Sequence, residues 1–192
     1  MGFIKRFFSS KTDKYDHLDE DQEPVVTDNM SLDELFVYNY KQKGGAFFYP
    51  DDMEDFKDSL LQLLKYLGVE KYMVLERSYL QFLKKMQIPV TEQFDKNAVL
   101  LGGCEMLIAN EGAIMTTATH TKEYRNQELP QRRVIVALSD QITPNKSQAL
   151  TDINNKYKKP PANIQTMSIF AKPKNDLSGN NWYETYLFLI EN

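Results

Sequence analysis

Apolar and polar residues follow two periods along this chain, and glycines, prolines and capping residues mark where one gives way to the other. From Ser31 the spacing is helical: a Ser31/Glu34 capping box precedes Leu32, Leu35, Phe36 and Tyr40, and Gly44-Gly45 ends the run. Ala46, Phe47, Phe48 and Tyr49 form a short apolar strand. Asp51 with Glu54 opens a second helix whose core stripe is Phe56, Leu60, Leu63, Leu64 and Leu67, closed by Gly68. Residues 72–75 read as a buried strand, and Ser78 with Gln81 starts a short helix through Leu80, Leu83 and Met86.

The centre of the chain is strand-rich. Apolar runs cover residues 98–101, 106–108, 113–115 and 133–138. Thr143-Pro144 then reads as a cap with proline at the first helical position. Ala149, Leu150, Ile153 and Tyr157 line that helix, and Pro160-Pro161 stops it. Late strands are expected over 164–170 and 186–190, with a polar linker at 172–181. Helices alternating with short, fully apolar strands predict a mainly parallel sheet covered on both faces. Residues 1–29 are polar and acidic after Phe3-Ile4 and Phe7-Phe8, so they read as a disordered acidic N-terminal tail, leaving residues 30–192 as one α/β domain.

Composition narrows the function classes. The net charge is −4; residues 11–28 carry −5 and residues 1–10 carry +2, which leaves the remainder at −1. That balance argues against a nucleic-acid partner, whose phosphates demand a basic face. No apolar run approaches the roughly 20 residues of a membrane span, and the basic N-terminus is too short for a signal peptide, so a cytoplasmic location is expected. One cysteine, Cys104, and two histidines provide neither a disulfide nor a ligand set for a zinc or iron–sulfur site, so no metal and no cofactor is expected in this chain.

Candidate chemistry gathers between Asn110 and Arg125. The polar stretch 116–126 leaves the end of a buried strand, where α/β proteins place their sites. Thr116, Thr117, Thr119 and Thr121 offer hydroxyls to a phosphate or carboxylate, with Lys122 and Arg125 as countercharges, and Arg125's planar fork suits a carboxylate best. The same threonines also fit a plain polar surface loop. His120, the single histidine of the expected domain, suits a general base or is incidental. Asp140 falls just past a strand end, at the edge where ligands gather in open sheets, or belongs to the polar connection behind it. Cys104 reads as a buried structural thiol.

Four passages resemble the LUD domain family, the LutC-like (YkgG-like) lactate-utilisation proteins. They are Asp33-Glu34-Leu35-Phe36 through Gly44-Gly45-Ala46-Phe47; Leu100 to Cys104 followed by Ile108 to Ile114; Glu128-Leu129-Pro130 with Val134-Ile135-Val136; and Ser139-Asp140-Gln141-Ile142. The likeness spans roughly residues 31–190. It implies a three-layer α/β/α sandwich with a mainly parallel sheet, of the NagB/RpiA/CoA-transferase type. It further implies an accessory role in lactate utilisation beside iron–sulfur cluster-containing proteins, and a small anionic metabolite as ligand.

By analogy with the related CoA transferases, Glu111 is the candidate catalytic carboxylate, with Asn110 and Gly112 beside it; the alternative is a solvated glutamate at a turn, with Gly112 serving the backbone. Two departures from the family pattern define a divergent, shortened branch. The family's acidic position falls on Asn110, with a new acid at Glu111, and its C-terminal His-Gly-Pro turn is replaced by residues 170–175. Whether the chain is an enzyme is left open. The alternatives are a stand-alone CoA-transferase-like or isomerase-like enzyme using Glu111, and a non-catalytic scaffold.

Overall fold

The computed structural model describes residues 30–167, 169 and 183–191. The expected tail, the end of the 164–170 strand and the 172–181 linker lie outside them. In the described residues, six strands form a parallel sheet in the order β1 (Ala46–Phe48), β10 (Glu184–Ile190), β7 (Arg132–Leu138), β4 (Val99–Gly103), β2 (Tyr72–Met73), β3 (Val90–Thr91).

Period-two alternation assigns the two faces. Val99 and Leu101 of β4, Val134 and Val136 of β7, and Tyr186 and Phe188 of β10 pack against Phe56, Leu60 and Leu63 of α2 (Met53–Tyr66) and Leu80 and Leu83 of α3 (Arg77–Lys85). On the opposite face Ile135, Ala137, Leu187 and Leu189 meet Phe36, Val37 and Tyr40 of α1 (Leu32–Gln42).

A second sheet covers that same face, and the sequence pattern did not separate it from the first. Its order is β8 (Ile142–Thr143), β5 (Met106–Ile108), β6 (Ala113–Thr116), β9 (Gln165–Met167). β5 and β6 pair antiparallel because residues 109–112 close them too tightly for a parallel crossover. Leu107 and Ile114 face the main sheet. Ile108, Ala113 and Met115 face outward, onto Ala149 and Ile153 of α5 (Lys146–Lys156). The result is a three-layer α/β/α sandwich, one of whose outer layers includes a small sheet.

Three helix starts differ from the sequence expectation. Asp52, not Asp51, caps α2, its Oδ1 accepting the Glu54 and Asp55 N–H groups at 2.9 Å each. Glu76 precedes α3, two residues before Ser78. Asn145 caps α5 by accepting the Gln148 N–H at 2.9 Å, because Thr143 is held extended opposite Ile108 and the Pro144 carbonyl accepts the Asn110 N–H. Leu150, expected on the buried stripe, is exposed.

These connections create one crevice. After β2 the chain turns to α3 on one face; after its neighbour β4 it turns to β5 on the other. Adjacent parallel strands whose connections leave in opposite directions open a gap at their carboxyl ends, and that gap is where open α/β sheets bind ligands.

Candidate functional site

The residues around this gap come from four segments. Glu76 follows β2, and Gly103-Cys104-Glu105 ends β4. Thr117 and His120 belong to the short helix α4 (Ala118–Thr121) and its cap, directly after β6. Lys156 and Tyr157 end α5. The first and third segments come together beside Gly103 at the strand end: the Cβ position there lies 3.5 Å from His120 Cδ2, 3.9 Å from His120 Nε2 and 3.7 Å from Glu76 Oε2, ordinary van der Waals distances. The Ser78 hydroxyl donates to Glu76 Oε1 at 2.6 Å, leaving Oε2 turned toward the imidazole side.

The chain fixes the histidine's tautomer. The Thr117 N–H donates to His120 Nδ1 at 3.3 Å, with Thr117 Oγ1 at 3.2 Å from the same nitrogen, so Nδ1 is the acceptor and the neutral ring carries its proton on Nε2. Burial lowers the pKa of His120, with the carboxylates of Glu76 and Glu105 pulling the other way. The neutral imidazole is a hydrogen-bond donor at Nε2, and the Glu76 carboxylate near it at the strand end is an acceptor.

Glu105 is only 2% exposed, yet both its oxygens are engaged. Oε1 accepts from Lys156 Nζ at 2.8 Å, and the Tyr157 hydroxyl lies 3.0 Å from Oε1 and 3.1 Å from Oε2. The hydrogen bond to Glu105 raises the pKa of Lys156. With its side chain 54% exposed, Lys156 presents a cation to water at this edge. Gln141, following β7, locks the turn by donating to the Cys104 carbonyl at 2.7 Å. Burial first, and the Glu105 carboxylate second, push the Cys104 thiol far above its usual range, which leaves it no thiolate character.

The sequence-derived candidates divide. Thr117 and His120 stand at the gap, and Asp140 is exposed in the 3-10 turn (Ser139–Gln141) after β7, on the same sheet edge. Thr116 is fully buried at the end of β6. Thr119 is exposed on α4, while Arg125 is exposed in the connection beyond it, its N–H donating to Glu128 Oε2. That connection is held by side-chain amides: Asn163 Nδ2 donates to the Lys122 and Tyr124 carbonyls, and Gln165 Nε2 to Thr121 Oγ1.

Asn110, Glu111 and Gly112 sit together at the closed end of the β5–β6 hairpin, about 10 Å from its open end at Glu105 and Thr117. Gly112 adopts φ +51°, and a Cβ there would stand 2.3 Å from backbone atoms of Asn39 and Tyr40. The space beside that glycine is occupied by α1.

Glu76, Glu105, Lys156 and Tyr157 were not singled out from the sequence. The available signals were position alone: Glu76 and Glu105 each directly follow an apolar strand run, at the carboxyl edge. Nothing local marks Lys156, since its partner is 51 residues away. Among the described residues no three His, Cys, Asp or Glu side chains group closely enough to hold a metal ion, and no helix is long and apolar enough to cross a membrane.

No protein-family model matches the sequence, and no curated protein matches it. Among solved structures the chain is similar to the crystal structure of a DUF162 family protein from Deinococcus radiodurans, with a TM-score of 0.57 and 14% identity over 85% of this chain and 99% of that one. At that identity the likeness speaks for the fold: this chain has the α/β architecture of a DUF162 protein.

Proposed function

We infer that this chain is a LUD-type protein, DUF162 being the LUD-type domain, and that it binds a small carboxylate or phosphorylated metabolite carrying a hydroxyl or carbonyl group. One observation carries the reading: Glu76 Oε2 and the edge of the neutral His120 ring converge over Gly103, at the gap between β2 and β4. In this reading His120 Nε2–H donates to the ligand's carbonyl or hydroxyl oxygen, Glu76 accepts from a hydroxyl, and Lys156 attracts the anionic end. A lactate-utilisation role beside iron–sulfur cluster-containing proteins, in the cytoplasm, is consistent with this ligand class and with the sequence resemblance.

The same geometry favours a second reading, an isomerase-like enzyme. A carboxylate opposite a neutral imidazole donor is the arrangement that moves a proton next to a carbonyl, the carboxylate as base and the imidazole polarising the oxygen. Glu76 takes that role more readily than Glu111, which the hairpin holds at its far turn.

A thermal-shift and calorimetric screen of the full chain against L-lactate, pyruvate, ribose 5-phosphate and acetyl-CoA tests the reading. A small carboxylate or sugar phosphate should stabilise the wild type, and Glu76→Gln and His120→Gln should each weaken that response. No response to any probe, or one that both variants retain, sinks it.

A further inference from the structure

Gly102 occupies the penultimate position of β4, buried in the middle of the six-strand sheet. Glycine there lowers strand stability, because it has more backbone freedom to lose and no side chain to pack. Four of the other described glycines have a visible reason. Gly44, Gly68 and Gly112 adopt positive φ, and Tyr40 fills the space beside Gly45, its ring 2.3 Å from where a Cβ would be. Gly102 has neither: its φ is not positive, and a Cβ built on it meets no atom of the described residues within 4 Å. A buried strand position with no described atom beside it breaks the local rule of strand packing without a local gain.

A second observation falls on the same side of the sheet. Gly102 pairs with Ile135 of β7, which packs with Ile114 of β6 between the two sheets. Thr116 lies two residues beyond Ile114, so its side chain leaves the same face of β6, toward the carboxyl ends of β4 and β7. Thr116 is 0% exposed and its hydroxyl has no hydrogen-bond partner. A buried hydroxyl without a partner is costly unless something polar meets it. Gly102 and Thr116 therefore face the same inter-sheet layer near the β2/β4 gap, with Ile135 beside the glycine.

We propose that Gly102 is the floor of the ligand site: the space left by its missing side chain admits the polar end of a small hydroxy or oxo acid, which the Thr116 hydroxyl hydrogen-bonds. This rests on the small-metabolite reading above and adds the position that sets ligand size. Glycine is needed at 102 for room alone, which separates its role from that of Gly112.

Gly102→Ala in the full chain tests this through two readouts. Its Tm should equal or exceed that of the wild type, since the added methyl enters open space and restricts the unfolded chain. Its affinity for whichever of L-lactate, pyruvate or ribose 5-phosphate binds the wild type should fall about tenfold or more, the usual effect of one methyl group in a tight pocket. Thr116→Val, which keeps the shape and removes the hydroxyl, should weaken the same probe while leaving the fold intact.

A fall in Tm for Gly102→Ala, with or without loss of binding, assigns the glycine to packing and overturns the proposal. Unchanged probe affinity in Gly102→Ala, while His120→Gln loses it, overturns the proposal and leaves the small-metabolite reading standing. No probe binding to the wild type overturns both.

Discussion

His120 shows how one side chain's environment sets its chemistry. Lone histidines in polar loops are common, and this one acquires its character from the Thr117 N–H at Nδ1 and from burial against the strand end. Its pKa is lower in the folded protein than the ordinary 6.5. The unfolded chain therefore binds the proton more readily, so the neutral-imidazole contribution is complete above the ordinary value and is lost as pH falls below it. His120→Gln should make Tm less sensitive to pH between about 7 and 5 than in the wild type, because one group whose protonation opposes folding is gone. Parallel Tm–pH profiles for the two proteins would show that His120 titrates alike folded and unfolded.

At the scale of elements, the β5–β6 hairpin decides which acids face the crevice. Its open end holds Glu105 and Thr117 at the sheet's carboxyl edge, and its closed end packs Gly112 against α1, where Asn39 Nδ2 donates to the Ala109 carbonyl at 2.9 Å. Gly112→Ala combines a left-handed backbone with a clash against Asn39 and Tyr40, and should cost about 3 kcal/mol or more in chemical denaturation. Gly102→Ala, ten residues earlier, is expected to go the other way. Two buried glycines thus have opposite expected responses, one in an apolar strand and one in a polar turn.

Across the whole molecule, the chain must run from the site at the carboxyl edge back to the amino edge, where β7 begins. Residues 122–131 make that passage over Leu100 and Met73, with Leu129 buried beneath and Tyr124 stacked on Phe94 at 4.4 Å. Fully buried Arg133 anchors its end: Nε donates to the Pro130 carbonyl at 2.7 Å and an Nη to the Asn126 carbonyl at 2.6 Å, while the guanidinium lies 4.2 Å from the Tyr183 ring centre. Burial draws its pKa down to about 10, with Tyr183 opposing the shift. Arg133→Leu would leave those carbonyls unmatched in the interior, and a loss of about 3 kcal/mol is expected in urea unfolding. Stability equal to the wild type would mean that the passage is held by its apolar contacts alone.

Short-range patterns in the chain sufficed for the four longer helices, the apolar strands and the α/β class, because period, capping and strand burial are written within a dozen residues, whereas the four-residue α4 fell in a stretch that reads as a polar loop. They also brought His120 and Thr117 into view, since a polar stretch after a buried strand is a local feature. Helix starts slipped by one or two residues where a cap competed with strand pairing, as at Thr143. Which strands share a sheet, and which acids stand near His120, depended on the placement of distant segments: Glu76 comes to the same strand end as the ring from 44 positions away and Lys156 reaches Glu105 from 51. Those pairings follow from the order of strands and the faces to which their connections turn. No local pattern encodes that order, because it is selected by the burial of whole faces at once.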